Sequence, residues 1–98
     1  MVKKILLACA GGFSTSMLVR RMQEAAQAQG IDVEILAVAE ENIYEHLDSD
    51  VLLLGPQIGH KLEELTNELS FPVFVVDMMD YGMMNGEKVL NEVLENVK

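Results

Sequence analysis

The sequence predicts an α/β fold: a single-domain, open four-stranded parallel sheet in the order 2-1-3-4, with helices on both faces. Three observations predict it. Apolar runs alternate strictly with helical patterns, which implies a parallel sheet covered on both sides. Three of the four runs are continuously apolar, as strands buried on both faces must be. The chain has 98 residues and is 50% hydrophobic, enough for one compact core, so residues 1–98 are expected to form one domain.

The first strand is read at Lys3–Ala8 ("KKILLA"). A helix follows over Ser16–Gln29, with Leu18, Met22, Ala25 and Ala26 on one face and Gly30 as its natural stop. Asp32–Val38 ("DVEILAV") is the second strand; its partial alternation suits a sheet edge. A short helix is expected at Glu40–Leu47, with Ile43 and Leu47 four apart and two acids in its first turn. Val51–Leu54 ("VLLL") is the third strand, and Ile58–Leu69 a helix with Ile58, Leu62, Leu65 and Leu69 on one stripe. Val73–Val76 ("VFVV") and a helix over Gly86–Val97 complete the series. Right-handed crossovers leave few topologies, and the order 2-1-3-4 is a short relative of the flavodoxin arrangement. Such sheets bind ligands beyond the carboxyl ends of their strands, between strands one and three. The loops there are Cys9–Ser14 and Gly55–Gln57.

Composition narrows the function. Sixteen acidic residues stand against seven basic ones, a formal net charge of −9. Nucleic-acid binding needs Lys and Arg to displace counterions, so it is not expected. Docking on anionic lipid is disfavoured for the same reason. No apolar run reaches bilayer length, and no signal peptide is visible, so a cytoplasmic protein without direct membrane insertion is expected. One cysteine forms no internal disulfide, which agrees with a reducing compartment. The sequence shows no metal-ligand spacing and no cofactor motif.

One stretch carries chemistry: "CAGGFSTS", Cys9–Ser16. It holds the only cysteine, two glycines and three hydroxyl residues, at a strand–loop–helix junction. The first-turn N–H groups of a helix lack intrahelical partners and attract anions. Glycines let backbone curl closely round a ligand. Hydroxyls add donors. A helix N-terminus also favours thiolate over thiol, so Cys9 is expected to be a usable nucleophile. The plain alternative is a small buried thiol at a strand end, but packing alone does not ask for the glycines and hydroxyls that follow.

Tyrosine phosphatases, including the low-molecular-weight ones, use Cys-x5-Arg, in which the arginine clamps the phosphate oxygens. Here Thr15 holds that place, and Arg20 and Arg21 lie further along the helix. The cradle is kept and the clamp is missing. Water attack on a phosphocysteine should then be slow. That suits a carrier, which takes a phosphoryl group from one partner and gives it to another.

"CAGGFSTS", with "LLLGPQI" after the third strand and "DYG" after the fourth, resembles the IIB component of the bacterial phosphoenolpyruvate-dependent sugar phosphotransferase system, in its lactose/cellobiose/chitobiose branch. The resemblance spans essentially the whole chain. It implies that Cys9 accepts a phosphoryl group from a phosphohistidine on a IIA component. Cys9 then passes it to a sugar, a cellobiose-, chitobiose- or lactose-type disaccharide, bound by a membrane IIC component. Ala10, Gly11, Gly12, Phe13, Ser14, Thr15 and Ser16 would hold the phosphoryl oxygens. Phe13 stands where relatives often have methionine and is read as an apolar contact at the loop tip. The competing reading is a low-molecular-weight phosphatase or arsenate-reductase-like enzyme using Cys9.

Other residues are weighed beside these. Gln57 either supports the site from the neighbouring loop or simply starts a helix. Tyr81 is read as a lid, a partner contact or a support behind the site, and Asp80 as a solvated loop acid. Met78, Met79, Met83 and Met84 are read as a flexible apolar surface that accepts more than one partner. His46 and His60 are assigned no role. A monomer is expected, since a small carrier presents one face to two partners.

Overall fold

The structure, a computed structural model, describes residues 2–9 and 12–97, and at 12–14 the backbone alone. Four parallel strands form one sheet: β1 (Lys4–Cys9), β2 (Glu34–Ala39), β3 (Val51–Leu54) and β4 (Val73–Val75), in the order β2-β1-β3-β4. The expected topology is therefore the observed one, with β2 at an edge. Among the described residues no helix is long and apolar enough to cross a membrane.

The continuous apolar runs divide between two faces because successive side chains of a strand point in opposite directions. Ile5 and Leu7 of β1 and Val51 and Leu53 of β3 enter one core, beneath helices α1 (Gly12–Ala28) and α4 (Gly86–Asn96). Leu6, Ala8, Leu52 and Leu54 enter the other, with Ile43, Ile58 and Leu65. Helix α1 buries Leu18, Met22, Ala25 and Ala26 as expected. It ends in a Schellman turn: Ile31 N donates to Ala26 O at 2.8 Å, Gly30 N to Gln27 O at 3.2 Å, and Gly30 takes φ +70°.

The structure departs from the sequence reading in four places. The second helical segment is a 3₁₀ helix, Glu40–Glu45, and Leu47 lies outside it, 56% exposed. Three residues per turn do not stack positions four apart, so Ile43 alone anchors the segment. The third is split into a 3₁₀ turn, Pro56–Lys61, and α2 (Leu62–Glu68). Ile58 is non-helical there (φ −117°), which turns Leu62 out of the stripe and towards solvent. A short helix not expected from the sequence, α3 (Met78–Gly82), occupies the methionine-rich stretch. Finally, α1 begins at Gly12, so the glycine and hydroxyls assigned to a loop are its first turn.

Helices α1 and α4 approach closely at Gly86. A Cβ there would lie 2.6 Å from the carbonyl carbon and Cβ of Arg21 and from Met22 N. Only a residue without a side chain fits that contact.

Candidate functional site

The site is assembled at the carboxyl end of the sheet. Strand β1 ends in buried Cys9, and α1 starts three residues later. Ala10 and Gly11, expected among the phosphate-holding residues, lie outside the described residues. Gly12, Phe13, Ser14 and Thr15 form the first turn of α1, where backbone N–H groups have no intrahelical acceptor. Thr15 is buried, 1% exposed, and its hydroxyl donates to Cys9 Sγ. Ser16, one residue on, is exposed.

The electrostatics favour an anion. No acidic residue lies in the first turn of α1. The other α-helices each carry one or two there: Glu63 and Glu64 in α2, Asp80 in α3, Glu87 in α4. In a chain with sixteen acids, the helix beside the thiol keeps its positive dipole end uncompensated.

The neighbouring strand closes one side. Gly55 follows β3, is buried, and donates its N–H to Ala8 O at 2.9 Å. A Cβ on Gly55 would stand 3.2 Å from Cys9 Cβ and 3.1 Å from Gln57 Oε1. The glycine thus lets the loop approach the thiol residue, and Gln57 folds its side-chain carbonyl back towards the same place. Sequence reasoning singled out Gln57 but not Gly55; its signal was the Gly-Pro pair directly after a strand.

Tyr81 is no lid. It is 7% exposed, packs in the α1/α4 core, and places its hydroxyl 3.1 Å from Thr15 Oγ1. Asp80 is no solvated acid either. It is 5% exposed and lies 3.4 Å from Lys88 Nζ. Both corrections follow from α3: the Asp77 side chain accepts from Met79 N and Asp80 N, and that cap winds the stretch into a helix. The winding turns Asp80 and Tyr81 inward and leaves Met78, Met79 and Met83 more than 70% exposed. Met84 is instead partly buried against the core.

The comparisons agree with this geometry. The family model described as "PTS system, Lactose/Cellobiose specific IIB subunit" matches residues 4–92. The chain belongs to that family. It is thus a sugar-specific IIB component of the phosphoenolpyruvate:carbohydrate phosphotransferase system (PTS), and a phosphotransferase. It is 43% identical over 97 residues to the PTS system oligo-beta-mannoside-specific EIIB component of Bacillus subtilis, covering 95% of this chain and 94% of the relative. It is 45% identical to the cellobiose-specific EIIB component of Lactococcus lactis subsp. lactis, covering 90% of each. The solution structure of the cellobiose-specific IIB protein of Borrelia burgdorferi superposes with a TM-score of 0.81 at 41% identity, covering 97% of this IIB chain and 91% of that one. The lactose-specific IIB domain of Streptococcus pneumoniae gives 0.86 at 23% identity, with both chains fully covered. At that identity the likeness bears on the fold.

Proposed function

We propose that this IIB component is a cytoplasmic phosphocarrier in which Cys9 is the phosphoryl-bearing nucleophile. Cys9 Sγ attacks the phosphorus of a phosphohistidine on a IIA component. The S–P bond forms and the N–P bond breaks; its electron pair stays on the imidazole, which takes up the proton that the thiol gives up. A hydroxyl of a sugar held by a membrane IIC component then forms the O–P bond. The S–P pair returns to sulfur, and the hydroxyl proton passes to a base of the acceptor complex. First-turn N–H groups of α1 hold the phosphoryl oxygens, Ser14 and Ser16 are assigned to the same group from the family resemblance, and the Thr15 hydroxyl serves the sulfur. The exposed Met17, Met78, Met79 and Met83 supply an adaptable apolar surface for the two partners. The sugar is of the oligo-beta-mannoside, galactose or cellobiose kind that relatives' names print, selected mainly by the membrane component.

One observation carries this reading. The residue six after Cys9 is Thr15, buried against the sulfur, where a hydrolase of this loop type needs arginine. Arg20 and Arg21 do not substitute. Both are exposed on α1, and Arg20 faces Glu24 at 4.0 Å. With threonine in the arginine's place and both nearby arginines exposed further along α1, transfer to water is not expected to be assisted.

The test is intact-protein mass spectrometry after incubation with phosphoenolpyruvate, the general phosphotransferase proteins and a IIA component. One added phosphoryl mass that persists in buffer is expected, and none in Cys9→Ser. Label on Cys9→Ser, or rapid turnover of p-nitrophenyl phosphate by the wild type, would overturn the carrier reading.

A further inference from the structure

We propose that Tyr81 is a positioning residue for the chemistry at Cys9, acting through Thr15. The proposal rests on Cys9 as the nucleophile and adds a control of its sulfur. A threonine hydroxyl has one proton and two lone pairs. Thr15 is 1% exposed, and its hydroxyl sits between Cys9 Sγ, to which it donates, and Tyr81 Oη at 3.1 Å. With its single proton committed to sulfur, Thr15 offers Tyr81 only lone pairs. The phenol is then the donor, and the protons run one way, from Tyr81 to Thr15 to sulfur. Hydroxyls in series polarise one another, so the second strengthens what the first gives to sulfur.

The opposite direction is disfavoured by the place of Tyr81. If Thr15 turned its proton towards the phenol, the phenol proton would need another acceptor. Among the described residues Thr15 is the hydrogen-bond partner of that hydroxyl, and Tyr81 is 7% exposed. A buried donor left unpaired is costly. The ring is held in the core cluster with Leu18, Met22 and Val89. Its backbone is fixed by Tyr81 N donating to Asp77 O at 2.9 Å. The hydroxyl is therefore in position before any partner arrives. A neutral two-hydroxyl relay thus stands where a phosphatase loop has a fixed cation. It stabilises charge on sulfur as attacking atom and as leaving atom alike, as transfer in both directions requires.

The test is the rate of Cys9 alkylation by iodoacetamide across pH, in which sulfur forms the S–C bond and iodide leaves. Variants are Tyr81→Phe, Thr15→Val, Thr15→Ser and the double Tyr81→Phe/Thr15→Val. Tyr81→Phe keeps the ring, and is expected to slow the neutral-pH rate by about 3- to 10-fold and to move the pH profile upward. Thr15→Ser keeps the relay and should react like the wild type. The double variant should be no slower than Thr15→Val alone, because Tyr81 acts only through Thr15. A Tyr81→Phe profile that overlays the wild type overturns the proposal, as do independent, multiplying losses in the double variant. A merely structural role would lower the melting temperature without moving the pH profile. Phosphoryl uptake from IIA is measured alongside. Absent uptake in the wild type overturns the carrier reading, while the alkylation series still decides the relay.

Discussion

Two strand-to-helix junctions lie at the same end of the sheet and are finished differently. After β4, Asp77 folds over the start of α3 and accepts from Met79 N at 2.9 Å and Asp80 N at 3.3 Å. That N-terminus satisfies itself with its own carboxylate. After β1, the first turn of α1 carries no acid at all. A carboxylate there would stabilise the helix by roughly 0.3–1 kcal/mol. The one α-helix that forgoes this gain is the one beside the thiol. The same backbone feature is closed by a carboxylate at α3 and left without one at α1, where the proposed phosphoryl group would arrive.

Making α1 resemble α3 is the sharpest way to break the contrast. Ser14→Asp puts a carboxylate into the first turn of α1, the turn proposed to receive the phosphoryl group. Phosphoryl uptake should fall on the order of 100-fold, since like charges a few ångströms apart near a protein surface repel by several kcal/mol. Stability should stay within about 1 kcal/mol of the wild type, on the favourable side. Uptake that survives within about threefold would show that this N-terminus does not hold the phosphoryl oxygens.

Gly86→Ala tests the frame that both junctions share. The added Cβ would meet backbone atoms of Arg21 and Met22 at 2.6 Å, and backbone cannot rotate away. Overpacking of about 3 kcal/mol, offset by at most about 1 kcal/mol of helix propensity, leaves a net loss near 2 kcal/mol. Urea denaturation reads it. A loss below about 0.5 kcal/mol would mean that α1 and α4 slide apart freely, against the packing described. Asp77→Ala follows in size. Removing the cap of α3 should cost about 1 kcal/mol, with most of it restored by Asp77→Asn. Thermal denaturation of the pair checks this, and an equal loss in both variants would assign the effect to charge instead of capping.

The contrast also shows what the sequence makes legible. Strands β1 and β3 announce themselves because residues facing two cores leave no polar position from Ile5 to Ala8 or from Val51 to Leu54. Cys9 and Thr15 are legible because a topology read from alternation puts their junction at the ligand end of the sheet. The Thr15–Tyr81 contact is not, since it joins positions 66 apart that only the completed sheet brings together. Helix α3 is hidden because five residues hold too little periodicity; Asp77 before them was its one local sign. Leu47 and Leu62 were misplaced by applying a 3.6-residue period to segments that wind as 3₁₀ turns. The burial of Asp80 depends on Lys88 of α4, a partner that tertiary packing supplies and local pattern does not.

The smallest expected effect comes from the far end of the sheet, where a carboxylate again meets backbone donors. Asp50 Oδ2 accepts from Lys3 N at 2.7 Å and Lys4 N at 3.0 Å, pinning the start of β1 beside β3. These two bonds, Lys3 first, hold the Asp50 carboxyl below the usual carboxylate range. A carboxyl lowered by folding contributes stability above its unfolded value, near 3.9, and loses it as pH falls through the folded value. The group is half exposed, so solvent screening reduces the contribution to roughly 0.5–1 kcal/mol. Asp50→Asn should therefore be less stable than the wild type at neutral pH, and the gap should narrow on acidification below about pH 4. Denaturant titrations of both proteins at several pH values measure that gap. A gap that widens in acid would reverse the sign argued here. Phosphoryl uptake should be unchanged in Asp50→Asn, because this carboxylate ties down the end of β1 opposite Cys9. Reduced uptake at full stability would mean that the strand transmits its register to the thiol, and that the two ends are not independent.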